Sequence, residues 1–435
     1  MYLRMKNVCI ILCVLFASQS RAQNLLTPLE AKQITLENNF GIQIAENDLE
    51  IAKNLTDKKA NGYRPSVVAD AGINGTLGSS SQNFSNGLEA STSNAFNWGA
   101  NASVGANYTI FDKRRDLTLE QLQQSVELSD IQLRQTIEQN LLIVYNQYYL
   151  LVQLGENIKS LEEVIDISRD QLRRAQYSLD LGQGDGLAIL NVQVDIQRDS
   201  VSLLNAQMSL DNAKRDLNVA MGRDSDIAFD VNPDQLTAQA LSLESLIEEA
   251  KNKNTNLQLN KLGIDINMMN LDIIDAERKP TVFAGASYGL NYSDNATGSF
   301  INQSNSRGLN GNIGLSWTLY DASRSVRNQN AILNIENQKL QLENLEQLIE
   351  RDIRNAWSNY QNAIFVLEVE KKALDTNQEN FERTEEKVKA GQLGTIEFRQ
   401  AQLNLLTSQV SLANARVSTK LREIELLQLA GKLLE

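Results

Sequence analysis

The stretch Trp98–Asp112, WGANASVGANYTIFD, changes from the period of a strand to that of a helix, and it decides the fold of the chain. Up to Phe111, apolar residues alternate with small polar ones, as in a strand with one apolar face. From Asp112 to Leu179, apolar residues recur at mixed three- and four-residue spacing, which is the pattern of a coiled-coil seam. An amphipathic strand therefore leads directly into a helix that packs against other helices.

This helix is predicted to be unusually long. No proline occurs between Pro65 and Pro233, so the helix can run from about residue 112 to residue 181, roughly 70 residues and on the order of 100 Å. The glycine-rich turn Gly182–Gly186 then ends it. A helix of this length does not fit inside a compact core, so it needs other long helices as neighbours.

Residues 1–22 have the pattern of a secretory signal peptide. Basic residues precede the apolar run Val8–Ala17, and Ser20–Ala22 forms a small-x-small cleavage site before Gln23. Cys13 follows Leu12, whereas a lipoprotein signal requires a small residue there, so no lipid anchor is predicted. We expect the protein to be exported.

The composition excludes several kinds of site. The chain has no histidine, and both cysteines, Cys9 and Cys13, lie in the predicted signal peptide. Disulfides, thiol nucleophiles, histidine triads and zinc sites are therefore excluded, and no cofactor or metal is expected. Removal of the signal peptide changes the net charge from −13 to about −16, which argues against nucleic acid as a partner.

An internal repeat organises the chain. The segment Tyr108–Asp112 recurs as Trp317–Asp321, at an offset of 209 residues, and the same offset relates Gly222 to Gly431. Upstream, the residues around Pro65 recur at an offset of 215. We therefore predict a tandem duplication with a first repeat at 23–222, a linker at 223–241 and a second repeat at 242–435.

Each half has the predicted order helix, strand, strand, long helix, turn, helix. In the first half we expect a helix at about 28–62, strands at about 66–77 and 96–111 joined by a polar loop, and a coiled-coil hairpin at 112–221. In the second half the matching elements are a helix at about 242–278, strands at about 281–292 and 309–320 with a polar loop at 293–308, and a hairpin at 321–430.

The four strands have the length and composition of membrane-crossing strands. Charged residues are nearly absent from them, and aromatic residues lie toward their ends, where a membrane-interface girdle belongs. The aromatic residues at these positions are Trp98, Tyr108, Tyr292 and Trp317. A soluble sandwich with one apolar face remains the alternative. Four strands cannot close a barrel, so we expect three copies of the chain to form one barrel of twelve strands.

The duplicated order, the strand starts at Pro65 and Pro280 and the paired glycine turns resemble the TolC-like outer-membrane efflux proteins, over about residues 25–434. The resemblance implies a mixed α+β membrane protein, a homotrimer whose 12-stranded transmembrane β-barrel lies in outer membrane lipid. A periplasmic α-helical coiled-coil barrel is expected to continue the β-barrel. The resemblance further implies a passive exit duct of a tripartite efflux or type I secretion system, with a periplasmic adaptor protein and an inner-membrane transporter of RND or ABC type as partners.

The resemblance also points to a gate. In the family, acidic side chains just after the second turn line the closed periplasmic mouth. Matching forward from Gly391 places Glu397 on one such position and Gln400 on the next, so one acidic ring is kept and the other is in question. In the first half, Asp185 is the nearest acid. A solvated helix face remains the alternative for Glu397.

The two turns between the hairpin helices are candidates for adaptor docking, since they lie at the far end of the predicted helical barrel. Helix capping alone also explains their glycines. The candidate docking residues are Gly182, Gln183, Gly184, Gly186, Gly391, Gln392, Leu393, Gly394 and Thr395.

Two other classes of function are weighed against the duct. An exported structural or adhesive coiled-coil surface protein would use the long helices as a spacer, but a spacer needs neither amphipathic strands nor two matched hairpins. A carboxylate-based hydrolase has only its many acidic residues on helix surfaces in its favour. We therefore expect no enzyme activity.

Overall fold

A computed structural model describes residues 25–182, 184–232, 241–295 and 301–435. The predicted signal peptide, Gln183 and residues 233–240 of the predicted linker lie outside the described residues. The elements in chain order are β1 (Leu25–Leu26), α1 (Pro28–Asn38), α2 (Phe40–Leu55), β2 (Ser66–Asn83), β3 (Glu89–Phe111), α3 (Lys113–Asp180), α4 (Gly186–Ala220), β4 (Asp230–Val231), α5 (Leu243–Lys253), α6 (Thr255–Ala276), β5 (Thr281–Asp294), β6 (Gln303–Ser316), α7 (Ala322–Lys389) and α8 (Thr395–Leu429). The predicted mixture of long helices and strands is confirmed.

The chain divides into two compact units, and each unit takes segments from both halves of the sequence. The helical unit comprises Met1–Asn47, Ile131–Gln258 and Glu343–Glu435. The sheet unit comprises Asp48–Asp130 and Leu259–Leu342.

The two hairpins have the same lengths in both halves. Helices α3 and α7 each have 68 residues, and α4 and α8 each have 35. Each of these helices begins and ends at the offset of 209 residues that the sequence repeat indicates. None of the described helices has an apolar segment long enough to cross a membrane.

The first helix of each half is not continuous, contrary to the prediction. Asn39 separates α1 from α2, and Asn254 separates α5 from α6; both have extended backbone angles, with ψ near 120°. Each asparagine ends one helix and caps the next, because its side-chain oxygen accepts from a backbone N–H three residues on, Ile42 or Leu257. The continuous helices predicted at 28–62 and 242–278 are therefore wrong, and the second members end earlier, at Leu55 and Ala276.

The sheet unit contains one antiparallel sheet with the strand order β2-β3-β5-β6. In the first half the strands are longer than predicted, since β2 extends to Asn83 and β3 begins at Glu89. The predicted loop at 78–95 is therefore wrong over most of its length: its serines and asparagines pair in the ladder, beyond an irregularity at Gly78–Ser80. Only residues 84–88 connect the two strands.

In the second half the predicted strand at 309–320 is shifted. Strand β6 begins at Gln303 and ends at Ser316, so the predicted loop at 293–308 is also too long. Trp317 leaves the ladder, and its indole N–H donates to the carbonyl oxygen of Arg278 at 2.9 Å.

The main core of the helical unit surrounds Tyr148. This residue has no exposed surface. Its hydroxyl donates to the carbonyl oxygen of Leu26 at 2.9 Å and accepts from the backbone N–H of Asn232 at 3.2 Å. Burial raises the pKa of Tyr148 to about 12. The buried residues packed with it are Leu26, Ala31, Leu141, Val144, Tyr149, Leu151, Val152, Ala213, Leu217, Met221, Phe229, Val417, Ile424 and Leu433.

Candidate channel wall and helical tip

One face of the sheet is uncovered and, apart from Arg307 opposite Leu290 and polar residues toward the loop ends of β5 and β6, largely apolar. The register places its residues side by side across all four strands, and in the single chain they are exposed, for example Ile73 at 82% and Ile313 at 79%. The face includes Ile73, Leu77, Phe96, Trp98, Val104, Tyr108, Tyr288, Leu290, Leu309, Ile313 and Leu315. So large an apolar surface is normally covered by a partner or by lipid.

The opposite face is small and polar. Asn101 pairs with Gly72 and Gly99 with Asn74; Gly285 lies between Asn107 and Asn312. A Cβ atom on Gly72 would lie 3.0 Å from Asn101 Oδ1, and one on Gly285 would lie 2.7 Å from Asn312 Oδ1. These glycines therefore make room for the amides of neighbouring strands, which form a hydrophilic wall that also includes the carboxylate of Asp70.

The four predicted interface aromatics occupy two levels. Tyr292 lies near the loop end of β5, and Trp98 lies beside it with ring centroids 5.2 Å apart. Trp98 is not at a strand end as predicted, because β3 begins nine residues earlier, at Glu89. Tyr108 lies ten residues farther along β3, near the helices, and Trp317 follows the end of β6 at that same edge of the sheet. Ten residues correspond to about 33 Å along a strand.

The outer edges of the sheet are open in the single chain. Among the described residues, β2 pairs only with β3, and β6 pairs only with β5. Unpaired edges in lipid would leave backbone N–H and carbonyl groups without partners, at a cost of several kcal/mol each. The sheet therefore needs further strands on both sides if it crosses a membrane.

The first of the two tip turns depends on two glycines. Gly182 has a φ of +72°, a value that favours glycine. A Cβ atom on Gly184 would lie 2.5 Å from the backbone nitrogen of Leu179, so the chain passes too closely there for any side chain.

The second tip turn has the same form. Gly391 has a φ of +70°, and Gln392 N–H donates to the carbonyl oxygen of Lys387 at 2.9 Å. This six-residue closure is a Schellman motif. Gly394 precedes the first residue of α8 with an extended backbone, while Gly186 is already the first residue of α4.

The structure brings the two turns together around one cavity of about 750 Å³. Arg173, Arg174 and Lys389 line the cavity, and each is in an ion pair with Asp170 or Glu385. Asp185 is the one acidic residue among the described lining residues. The exposed ring of Tyr177 also contributes. The other lining residues are Gln171, Ala175, Ser178, Gly184, Ala188, Val388, Leu393, Gly394 and Thr395.

The three gate candidates have different surroundings. Glu397 lies exposed in the first turn of α8 and makes no ion pair with the described residues. Gln400, also exposed, donates to Asn404 Oδ1 at 2.9 Å. Asp185 caps α4, since its Oδ1 accepts from the N–H of Leu187 at 2.9 Å.

A polar cluster near the tip was not found from the sequence. Arg399 donates both terminal nitrogens to the carboxylate of Asp199, at 2.8 Å each, and its Nε lies 3.6 Å from Asp195. Burial alone would lower the pKa of Arg399, but these two carboxylates raise it.

Gln402 extends this cluster from α4 to α3, the other helix of the first hairpin. It accepts from Arg399 at 3.0 Å and donates to Ser168 Oγ at 2.9 Å. The available sequence signal was two acids four residues apart, Asp195 and Asp199, which repel each other on a helix unless a cation lies between them.

Comparison with known proteins gives a family match and a set of similar folds. Residues 246–432 match the outer membrane efflux protein family. No protein of curated function matches the chain in sequence.

Three solved structures illustrate the similar folds. The outer membrane protein VceC of Vibrio cholerae is 12% identical with a TM-score of 0.69, over 93% of this chain and 96% of that one. The CmeC outer membrane channel of Campylobacter jejuni is 13% identical with a TM-score of 0.69, over 94% and 86%. The open state of the MtrE outer membrane channel of Neisseria gonorrhoeae is 16% identical with a TM-score of 0.68, over 93% and 89%. At these identities the likeness concerns the fold.

Proposed function

Since its residues 246–432 belong to the outer membrane efflux protein family, we propose that this chain is the passive exit duct of a tripartite efflux or type I secretion system. The family match confirms the resemblance noted from the repeats. The protein is an outer-membrane channel protein and not an enzyme, and its helices extend into the periplasm. A periplasmic adaptor and an inner-membrane transporter of RND or ABC type supply the substrate and the energy.

The two-faced sheet is the observation that carries this proposal. Its apolar face fits lipid, and its face of asparagines, serines and glycines fits a water-filled lumen. The two aromatic levels, about 33 Å apart along the strands, would be about 25 Å apart across a membrane at the usual strand tilt. An exported spacer would need neither face.

Closure of the barrel requires further chains. Three copies joined edge to edge, β6 of one to β2 of the next, give twelve strands and leave no open edge. The homotrimer also places three copies of each hairpin tip around one axis, where Glu397 would form an acidic ring at the periplasmic mouth.

The tip cavity is the proposed docking site for the adaptor. The exposed Tyr177 favours a partner segment with an apolar side chain, and an acidic side chain beside it would compete with Asp170 and Glu385 for the three cations. Gly182 and Gly391, where a Cβ atom would meet nothing within 4 Å, leave the backbone of both turns accessible to that segment.

Adjacent residues on opposite faces of β3 provide the test. Because the predicted mature chain has no cysteine, Asn101→Cys and Ala102→Cys each introduce a single thiol. In planar bilayers, a charged thiol reagent should lower the single-channel conductance of Asn101→Cys and leave that of Ala102→Cys unchanged. No channels from the purified protein, or equal modification of both variants, would contradict the duct.

A further inference from the structure

Both halves of the sheet unit have an arginine just after the second strand, but its surroundings differ. Arg115 and Arg324 are equivalent at the offset of 209 residues. In the first half, Arg115 Nη1 donates to the carbonyl oxygens of Gly62 at 3.1 Å and Thr109 at 2.8 Å. These bonds hold Arg115 against its own half of the sheet.

A carboxylate completes the first-half cluster. Asp116 Oδ1 lies 3.8 Å from Arg115 Nε and accepts a hydrogen bond from the Tyr63 hydroxyl at 2.6 Å. The guanidinium of Arg115 also lies over the Tyr63 ring, 4.0 Å from its centroid. Arginine, carboxylate and phenol thus contact one another, and Arg115 Nε lacks a hydrogen-bond partner among the described residues, whereas its Nη1 has two.

The second half lacks both of these partners. Ser325 replaces Asp116, and Arg278 replaces Tyr63, at the two offsets of the repeat. The Ser325 hydroxyl donates to the carbonyl oxygen of Ala322 at 3.0 Å, so it does not take the place of the carboxylate. Nη1 of Arg324 is buried and has no hydrogen-bond partner among the described residues. A buried guanidinium nitrogen without an acceptor is costly.

A polar cavity of about 250 Å³ adjoins Arg324. Its two carboxylates, Glu277 and Asp321, both accept from Arg327. Lys279 also lines it, and this side chain makes no ion pair with the described residues. Arg114 lines it too and lies 3.4 Å from Asp112. The remaining lining residues are Thr281, Ser316 and Thr318, all with hydroxyls.

We propose that this cavity binds an oxyanion of the phosphate class, which supplies Arg324 with the negative charge that Asp116 supplies to Arg115 in the first half. Arg324 and Lys279 supply the charge, and the hydroxyls supply further donors. The phosphate could come from a lipid headgroup or from free phosphate. The site lies within the sheet unit and does not depend on the protein being a duct.

The test is the melting temperature of the full-length protein in detergent, with inorganic phosphate against chloride at equal ionic strength. Phosphate should raise it by about 2 °C or more in the wild type. Arg324→Gln should abolish the rise. So should Ser325→Asp, which restores the carboxylate of the first half at the residue next to Arg324. Arg351→Gln, an exposed arginine paired with Asp352 in the helical unit, should retain it.

Nanodiscs separate the two sources of phosphate. If the melting temperature rises only when the nanodiscs contain phosphatidylglycerol in addition to phosphatidylcholine, and Ser325→Asp removes this rise, the ligand is a lipid headgroup. If the melting temperature rises with inorganic phosphate in detergent, the ligand is the free anion. If the wild type responds to neither, or if Ser325→Asp responds as the wild type does, the proposal is overturned. Channel conductance is a separate measurement, so failure of this site leaves the duct untouched.

Discussion

Asn39 and Asn254 make the same pair of contacts in the two halves of the chain. The side-chain amide of Asn39 donates to the carbonyl oxygen of Ala220 at 2.8 Å, and that of Asn254 donates to Leu429 at 2.9 Å. Each amide thus satisfies a carbonyl in the last turn of a hairpin helix, while its oxygen caps the start of α2 or α6. One residue therefore stabilises three helix ends.

Replacement of either asparagine should lower stability through two separable contacts. Asn39→Ala loses both the cap and the bond to Ala220, and should cost about 1–3 kcal/mol. Asn39→Ser keeps a cap oxygen and loses the donor to Ala220 without introducing a buried charge, so it should cost less. Thermal unfolding of purified protein measures the difference. The same order is expected at Asn254, and equal losses for Ala and Ser would contradict the dual role.

Four glycines with similar positive φ provide a second comparison. Gly222 and Gly431 have φ of +76° and +72°, and a Cβ atom there would lie 2.2 Å from Asn38 O and 2.5 Å from Lys253 O. Gly182 and Gly391 have φ of +72° and +70° with nothing within 4 Å. Alanine at all four sites incurs backbone strain of about 1 kcal/mol. Only at Gly222 and Gly431 does a steric clash add to this strain.

Unfolding temperatures of the four alanine variants distinguish strain from clash. Gly222→Ala and Gly431→Ala should lose clearly more stability than Gly182→Ala and Gly391→Ala, because a backbone carbonyl cannot move aside as a flexible side chain can. Four equal losses would mean that the close approach to Asn38 and Lys253 relaxes without cost.

The sequence predicted the elements that repeat and missed those that depend on contacts between distant residues. The helices α3 and α7 follow from the coiled-coil spacing and the absence of proline. The break at Asn39 could not be predicted, because apolar spacing continues on both sides and an asparagine inside such a pattern is a weak signal. The extension of β2 to Asn83 was missed because serines and glycines are typical of loops, and only cross-strand pairing makes them a strand. The partner of Arg399 lies 200 residues away in sequence.

Glu138 should make stability depend on pH. It is 3% exposed and accepts from Thr255 Oγ1 at 3.2 Å, while its second oxygen is buried and has no hydrogen-bond partner among the described residues. Burial raises its pKa above the ordinary value of 4.5, against the opposing effects of the Thr255 bond and the charge of Arg134. The folded protein therefore holds this proton more tightly than the unfolded chain does.

This difference in proton affinity determines whether stability rises or falls with pH. Below pH 4.5 both states are protonated, and as pH rises from there through the raised pKa the unfolded chain ionises first, so stability falls. Glu138→Gln removes this loss and should gain stability relative to the wild type as pH rises from 4 to 7. Glu127→Gln, at an exposed position of the same helix, is the control. A constant difference between Glu138→Gln and wild type across this range would contradict the buried carboxyl.

The ion selectivity of the mouth tests the acidic ring. Glu397 and Gln400 lie three residues apart on α8, hence on neighbouring positions of one helix face. If three copies of Glu397 surround the axis, Glu397→Gln should reduce the preference for cations, and Gln400→Glu, which adds a second ring of charge, should increase it. The reversal potential under a potassium chloride gradient in planar bilayers measures both. Opposite shifts from two substitutions of similar volume cannot arise from a general loosening of the tip. If neither variant moves the reversal potential, Glu397 lies on a solvated outer face and the gate must be sought elsewhere, first at Asp185.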